Sequence, residues 1–226
     1  MPTIMPFIIA IFFIGIIVLG IFGHISAKKR REAMAALSAK LSLRFDTSTD
    51  RDIARRYRFL NQLCRGDDRY AFNILSGSYK GNEITAFDYH YETHSTDSKG
   101  RHQTHHHYFS FFMLFLPLSF PELVIVKEGL FSKIGQALGY DDIDFESHEF
   151  SRKFCVRSKD KKFAYDICNA QMIEYLLSNT DLSIEIEDNV LALYFGRRLA
   201  AEQIEHNLER LITIRSLMPE YLFSKR

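Results

Sequence analysis

The sequence predicts an α+β protein in which an N-terminal transmembrane helix precedes a mainly antiparallel sheet domain packed with helices. Three observations carry that expectation. The run from Ile4 to Gly23, IMPFIIAIFFIGIIVLGIFG, is twenty residues without a charge, which at about 1.5 Å per residue crosses a hydrocarbon core of roughly 30 Å. Between residues 70 and 126, stretches rich in aromatic and β-branched residues alternate with turn chemistry, the pattern of strands. Strands and helices then come in unequal blocks instead of strict βα alternation, which points to an antiparallel sheet.

Length and composition set the bounds. A chain of 226 residues with 46% hydrophobic and 14% aromatic residues has room for one good-sized domain with a core. Twenty Phe, eleven Tyr and no Trp make that core phenylalanine-heavy. A formal charge of +1 excludes a dedicated nucleic-acid binder with a basic excess. Cys64, Cys155 and Cys168 are odd in number and lack a C-x-x-C pair, so they read as free thiols of a reducing compartment. Cys155 and Cys168 fall in strand and helix patterns, where buried packing is the simplest role.

The elements follow in chain order. Residues 1–24 are read as the transmembrane anchor, with Pro6 near its start where a missing N–H costs little. A cleaved signal peptide would carry a basic first segment and a shorter apolar run. Lys28, Lys29, Arg30 and Arg31 follow the span and no Lys or Arg precedes it. That asymmetry predicts a single-pass protein of the bacterial inner membrane, N-terminus out and C-terminal domain cytoplasmic. The four cations read as a topology signal, with contact to lipid headgroups as the alternative. Residues 25–67 are read as a juxtamembrane helical stalk, and residues 68–226 as the cytosolic α+β domain.

Within the stalk, Met34, Leu37 and Leu41 share one helical face, and a second helix is expected over 50–65. Its outer face carries Arg51, Arg55, Arg56 and Arg58, read as a solvated face or else as a docking surface for a partner. Strands are expected over 70–77, 83–92 and 105–117, with Phe109–Leu116 apolar on both faces and therefore central. ELVIV (122–126) is expected as a separate short strand, EGLFSKIGQALG (128–139) as a short helix, and KFCVRS (153–158) as a strand. The alternating acids Asp142, Asp144 and Glu146 do not make a calcium loop, because Ser147 stands where glycine is needed and Lys153 where glutamate is needed. A helix through Phe163, Ile167, Ile173, Leu176 and Leu177 comes next, then a hairpin with Asp188-Asn189 at its tip, and a closing amphipathic helix through Ile204, Leu208, Leu211 and Ile212.

Phe87-Asp88-Tyr89-His90-Tyr91, NILSGSYKG (73–81) and FAYDI (163–167) carry a resemblance that covers most of the chain after the anchor. In them the sequence resembles a family of bacterial membrane proteins of unknown function that have one transmembrane helix, a basic juxtamembrane helix and a domain with an FDYxY strand. The resemblance implies location and domain extent, and no activity.

Six of the nine histidines lie within residues 90–108. If strands 83–92 and 104–115 pair, Asp88, His90, Glu92 and His94 share one face, and Phe87, Tyr89 and Tyr91 the other. A loop of one parity sets His105 and His107 beside His90 and Glu92, a three-histidine arrangement that suits zinc. The other parity brings His102 and His106 there instead. A polar, solvated hairpin tip is the reading adopted, with a metal site or a pH-responsive tip as alternatives. No G-x-S-x-G, H-E-x-x-H, P-loop or G-x-G-x-x-G is present. The functional expectation is a membrane-anchored cytosolic binding or scaffold domain without a cofactor. Its partners would be membrane lipid through residues 4–31 and an unidentified protein, and not nucleic acid. The alternative is a zinc-dependent hydrolase built on His90, Glu92, His105 and His107.

Overall fold

The computed structural model describes residues 5–128 and 142–224. Helix α1 (Met5–Leu41) leads into β1 (Arg44–Asp46), a short α2 (Ile53–Arg56) and a 3-10 turn (Asn61–Cys64). Three long strands follow: β2 (Asp67–Tyr79), β3 (Asn82–Thr96) and β4 (His102–Lys127). Then come α3 (His148–Lys153), β5 (Phe154–Ser158), α4 (Lys161–Ile167), α5 (Ala170–Ser178), β6 (Ser183–Tyr194) and α6 (Glu202–Leu217). The six strands form one antiparallel sheet in the order β1-β2-β3-β4-β5, and β6 pairs with β4.

Both faces of the sheet are covered, so β4 is apolar on both sides, as its sequence predicts. On one face Ile84, Ala86, Phe112 and Leu114 meet Phe163, Leu176, Ile204, Leu208 and Leu211 of the helices, together with Met34 of α1. On the other face Phe87, Tyr89, Phe109, Phe111 and Met113 meet Ile53, Leu60 and Leu63. Residue 67 is therefore no packing boundary, since the 25–67 segment supplies side chains to both clusters.

Among the described residues no helix is long and apolar enough to cross a membrane. The expected transmembrane anchor is not supported, and the single-pass inner-membrane description that rested on it falls with it. Residues 5–23 of the expected span belong to a 37-residue helix, Met5–Leu41, that runs on through the basic cluster and onto the sheet. Arg30 of that cluster is no flanking charge: its guanidinium lies inside the fold, held by a carboxylate, as described below.

Four further expectations are corrected. The helix over 50–65 is broken into α2 and the 3-10 turn, because the buried Glu185 carboxylate accepts from the Asn61 N–H at 2.6 Å and the Gln62 N–H at 3.3 Å and starts a new turn there. ELVIV is the end of β4 instead of a separate strand. Pro117 is accommodated because the register against β6 shifts between Phe115 and Phe120, where no ladder N–H is required. That same shift explains Asp188, which has φ of 49° and faces Phe120 as a bulge within a single strand, not as a hairpin tip. The helix expected over 159–179 is split into α4 and α5 by Asn169, whose side chain caps the Met172 N–H. The expected short helix at 128–139 falls almost entirely outside the described residues.

Candidate functional site

The β3–β4 hairpin is paired in one unbroken register, with Tyr91 opposite His107, Glu92 opposite His106, Thr93 opposite His105 and Thr96 opposite His102. This is the second of the two parities open to the sequence. His106 joins His90 and Glu92, whereas His105 and His107 point to the other face. His105 Nε2 lies 2.9 Å from the Ser95 hydroxyl and His107 Nε2 2.8 Å from that of Thr93. The zinc set of His90, Glu92, His105 and His107 is thus not assembled. In its place His90 Nε2 and Glu92 Oε1 each lie 3.1 Å from His106 Nδ1.

All four arginines of the expected outer face, Arg51, Arg55, Arg56 and Arg58, are exposed. Arg51 pairs with Asp68 at 2.5 Å and Arg55 with Asp52 at 3.2 Å, and Arg56 pairs with Asp50. Three of the four arginines are thus tied to local aspartates. Among the basic residues after the apolar run, Lys28 approaches Glu32 at 3.9 Å on the helix surface; Lys29 and Arg31 are exposed. Arg30 is bidentate to Asp88, with Nε and Nη2 each at 2.6 Å, and donates to the Leu199 carbonyl at 2.6 Å. Asp88 also accepts from Asn73 Nδ2 at 2.8 Å and from the Ser110 hydroxyl at 3.3 Å. This network fastens α1 to the centre of the sheet. Its signal in the sequence was the lone acid of the FDYxY stretch.

A second site was not visible in the sequence because it gathers distant residues. A cleft of about 410 Å³ is lined by Gln62, Arg65, Tyr91, Phe109, Ser183 and Tyr194, among others. Ser183 and Tyr194 are the two ends of β6. A straight strand of that length would hold them roughly 36 Å apart, so the bulged sheet must curl to bring both to one cavity. Gly66 makes the cleft wall possible: its φ is +62°, and a Cβ there would lie 2.1 Å from the Glu92 carbonyl oxygen. The chain can therefore lie against β3 and set the Arg65 guanidinium 5.6 Å above the Tyr91 ring. The His107 ring stacks on Tyr91 at 4.5 Å.

Beneath this rim the polar groups are buried. Gln62, Ser183 and Tyr194 are 6%, 6% and 3% exposed, and the Tyr194 hydroxyl has no hydrogen-bond partner among the described residues. Burial, reinforced by Glu185, holds the Tyr194 hydroxyl well above its ordinary pKa, so it is a neutral phenol able to donate. Burial also pushes the Glu185 carboxyl up to about 7, against the N–H groups of Asn61 and Gln62 that lower it. Cys155, buried as expected, is pushed up to about 12 by its desolvation, which makes it an inert thiol.

No family model matches this chain, and no curated protein matches it. Among solved structures, the chain is similar to the mycobacterial trehalose monomycolate transport factor A, TtfA. The TM-score is 0.55 over 84% of this chain and 95% of that one, at 12% sequence identity. Likeness at that identity is one of fold.

Proposed function

We propose that this chain is a non-catalytic binding domain, an accessory protein whose binding site is the cleft under Arg65. The observation that carries the reading is Tyr194, which lines the cleft and whose buried hydroxyl has no partner among the described residues. Buried polar groups are nearly always satisfied, and an exception in a cavity calls for a partner that arrives from outside. Around it stand the groups of a recognition site: a cation at the rim, an aromatic wall, and the Gln62 and Ser183 side chains as further polar contacts. The ligand that fits is polar, bearing hydroxyl or anionic groups, either as a small molecule or as a segment of a partner. Likeness in fold to a protein described as a transport factor agrees with an accessory role. Nothing in the comparisons supports the zinc hydrolase, and it is not taken up.

A photo-crosslinking residue placed in cells at Arg65 or His107, on the cleft rim, tests the reading against the same residue at Asp188, in the bulge of β6. A discrete adduct from the rim positions and none from position 188 is the expected result. Equal capture from all three, or none from the rim, would remove the proposal.

A further inference from the structure

We infer that His90, Glu92 and His106 form a binding site for a first-row divalent metal ion, zinc being the best fit, which locks the β3–β4 hairpin. His106 and His107 both border the ligand cleft, but as neighbours on β4 they project from opposite faces of the hairpin, and the metal ligands are His90, Glu92 and His106.

The geometry carries the inference. The three ligand atoms, His90 Nε2, a Glu92 carboxylate oxygen and His106 Nδ1, lie within 4.8 Å of one another. Two of the separations are 3.1 Å. Ligand atoms of a tetrahedral zinc ion, bonded at about 2.0–2.1 Å, stand roughly 3.3 Å apart, so the two pairs made by His106 match within a few tenths of an ångström, and the third, within 4.8 Å, is closed by rotation of the Glu92 side chain. The second observation is the orientation of His90. Its Nδ1 lies 3.0 Å from the Asp68 carbonyl oxygen, which can only accept, so the proton of the neutral ring sits on Nδ1 and the Nε2 lone pair faces the cluster. A backbone carbonyl that fixes the tautomer of a ligating histidine is the usual support of such a site. His90 is 2% exposed and packs at a tilt against the rings of Tyr108 at 4.7 Å and Tyr70 at 4.5 Å, so it is held before any ion arrives. The His106 side chain is 54% exposed and Glu92 is 18% exposed, which leaves an entry path.

The proton balance is simple. Without metal the His106 Nδ1–H is placed to donate to both His90 Nε2 and Glu92 Oε1. On binding, that proton leaves Nδ1 and the neutral ring carries its proton on Nε2 instead, toward solvent. Two imidazoles and one carboxylate then hold the ion, and its remaining position faces out of the sheet. Because the ligands come from two strands and Asp68 belongs to a third, the ion ties the exposed end of the hairpin to β2.

The test uses the full-length chain without a polyhistidine tag, stripped with a chelator. It is titrated with Co(II), read by its visible absorption, and with Zn(II), read by calorimetry and by thermal unfolding. One equivalent should bind and raise the unfolding temperature. His106→Ala and Glu92→Gln, both at accessible positions, should each weaken binding by more than the roughly 10–100-fold typical of losing a group that only orients a ligand. His105→Ala and His107→Ala should bind as the unaltered chain does. Absence of stoichiometric binding, an unchanged His106→Ala, or an equal loss in His105→Ala would each overturn the site.

Discussion

Glu185 shows how one residue can set both a local conformation and a pH response. Its carboxyl lies in the core, 1% exposed, and receives the N–H groups that begin the 3-10 turn over Asn61–Cys64. The Asn61 side chain bridges it to Glu122, at 3.0 Å and 2.7 Å. Desolvation still wins, raising its pKa from 4.5 to about 7. A carboxyl with a raised folded pKa binds its proton more tightly in the folded state, so its contribution is fully present below 4.5 and is lost as pH rises to about 7. That rise corresponds to on the order of 3 kcal/mol. Urea unfolding across this window should show stability falling with rising pH, and Glu185→Gln should flatten that slope. A slope unchanged by the substitution would place the titration elsewhere.

At the scale of elements, α1 is joined to the sheet by a buried charge pair and not by apolar contact alone. The Arg30 and Asp88 side chains are 9% and 1% exposed. Removing one partner leaves the other charge buried without compensation, at a cost of about 3–5 kcal/mol. Arg30→Ala should lose that much in chemical denaturation, whereas Lys29→Ala, at an exposed neighbour, should stay within about 0.5 kcal/mol. Equal effects would mean that the basic cluster acts as a general surface charge. This contact also shows where sequence reading stops. Four cations after an uncharged run carry a strong topological pattern, and nothing local says which of them turns inward. Strands β2 to β4 were legible because alternation and turn chemistry are local, and so was α6 through its apolar stripe. The hairpin register was not, because the parity of a polar loop leaves no local trace, and it decides whether His106 or His105 meets His90. The 50–65 helix was misread because the residue that breaks it, Glu185, lies more than a hundred positions away.

For the molecule as a whole, the curled sheet is what creates a site. Helices cover one face, the 50–66 segment closes the other, and the bulges near Pro117 and Asp188 bend β4 and β6 until both ends of β6 line one cleft. Its polar groups come from residues 62, 65, 183 and 194, too dispersed to leave a motif. The account holds that the Tyr194 hydroxyl is kept for a ligand and contributes nothing to the free fold. The most direct measurement is the unfolding free energy of Tyr194→Phe without ligand. Removing an unsatisfied buried hydroxyl while keeping the ring, which stacks on Phe111 at 5.8 Å, should leave the protein as stable as before or raise its stability by about 1–3 kcal/mol. A loss of more than about 1 kcal/mol would mean that the hydroxyl is already satisfied within the fold, and the central claim would be contradicted.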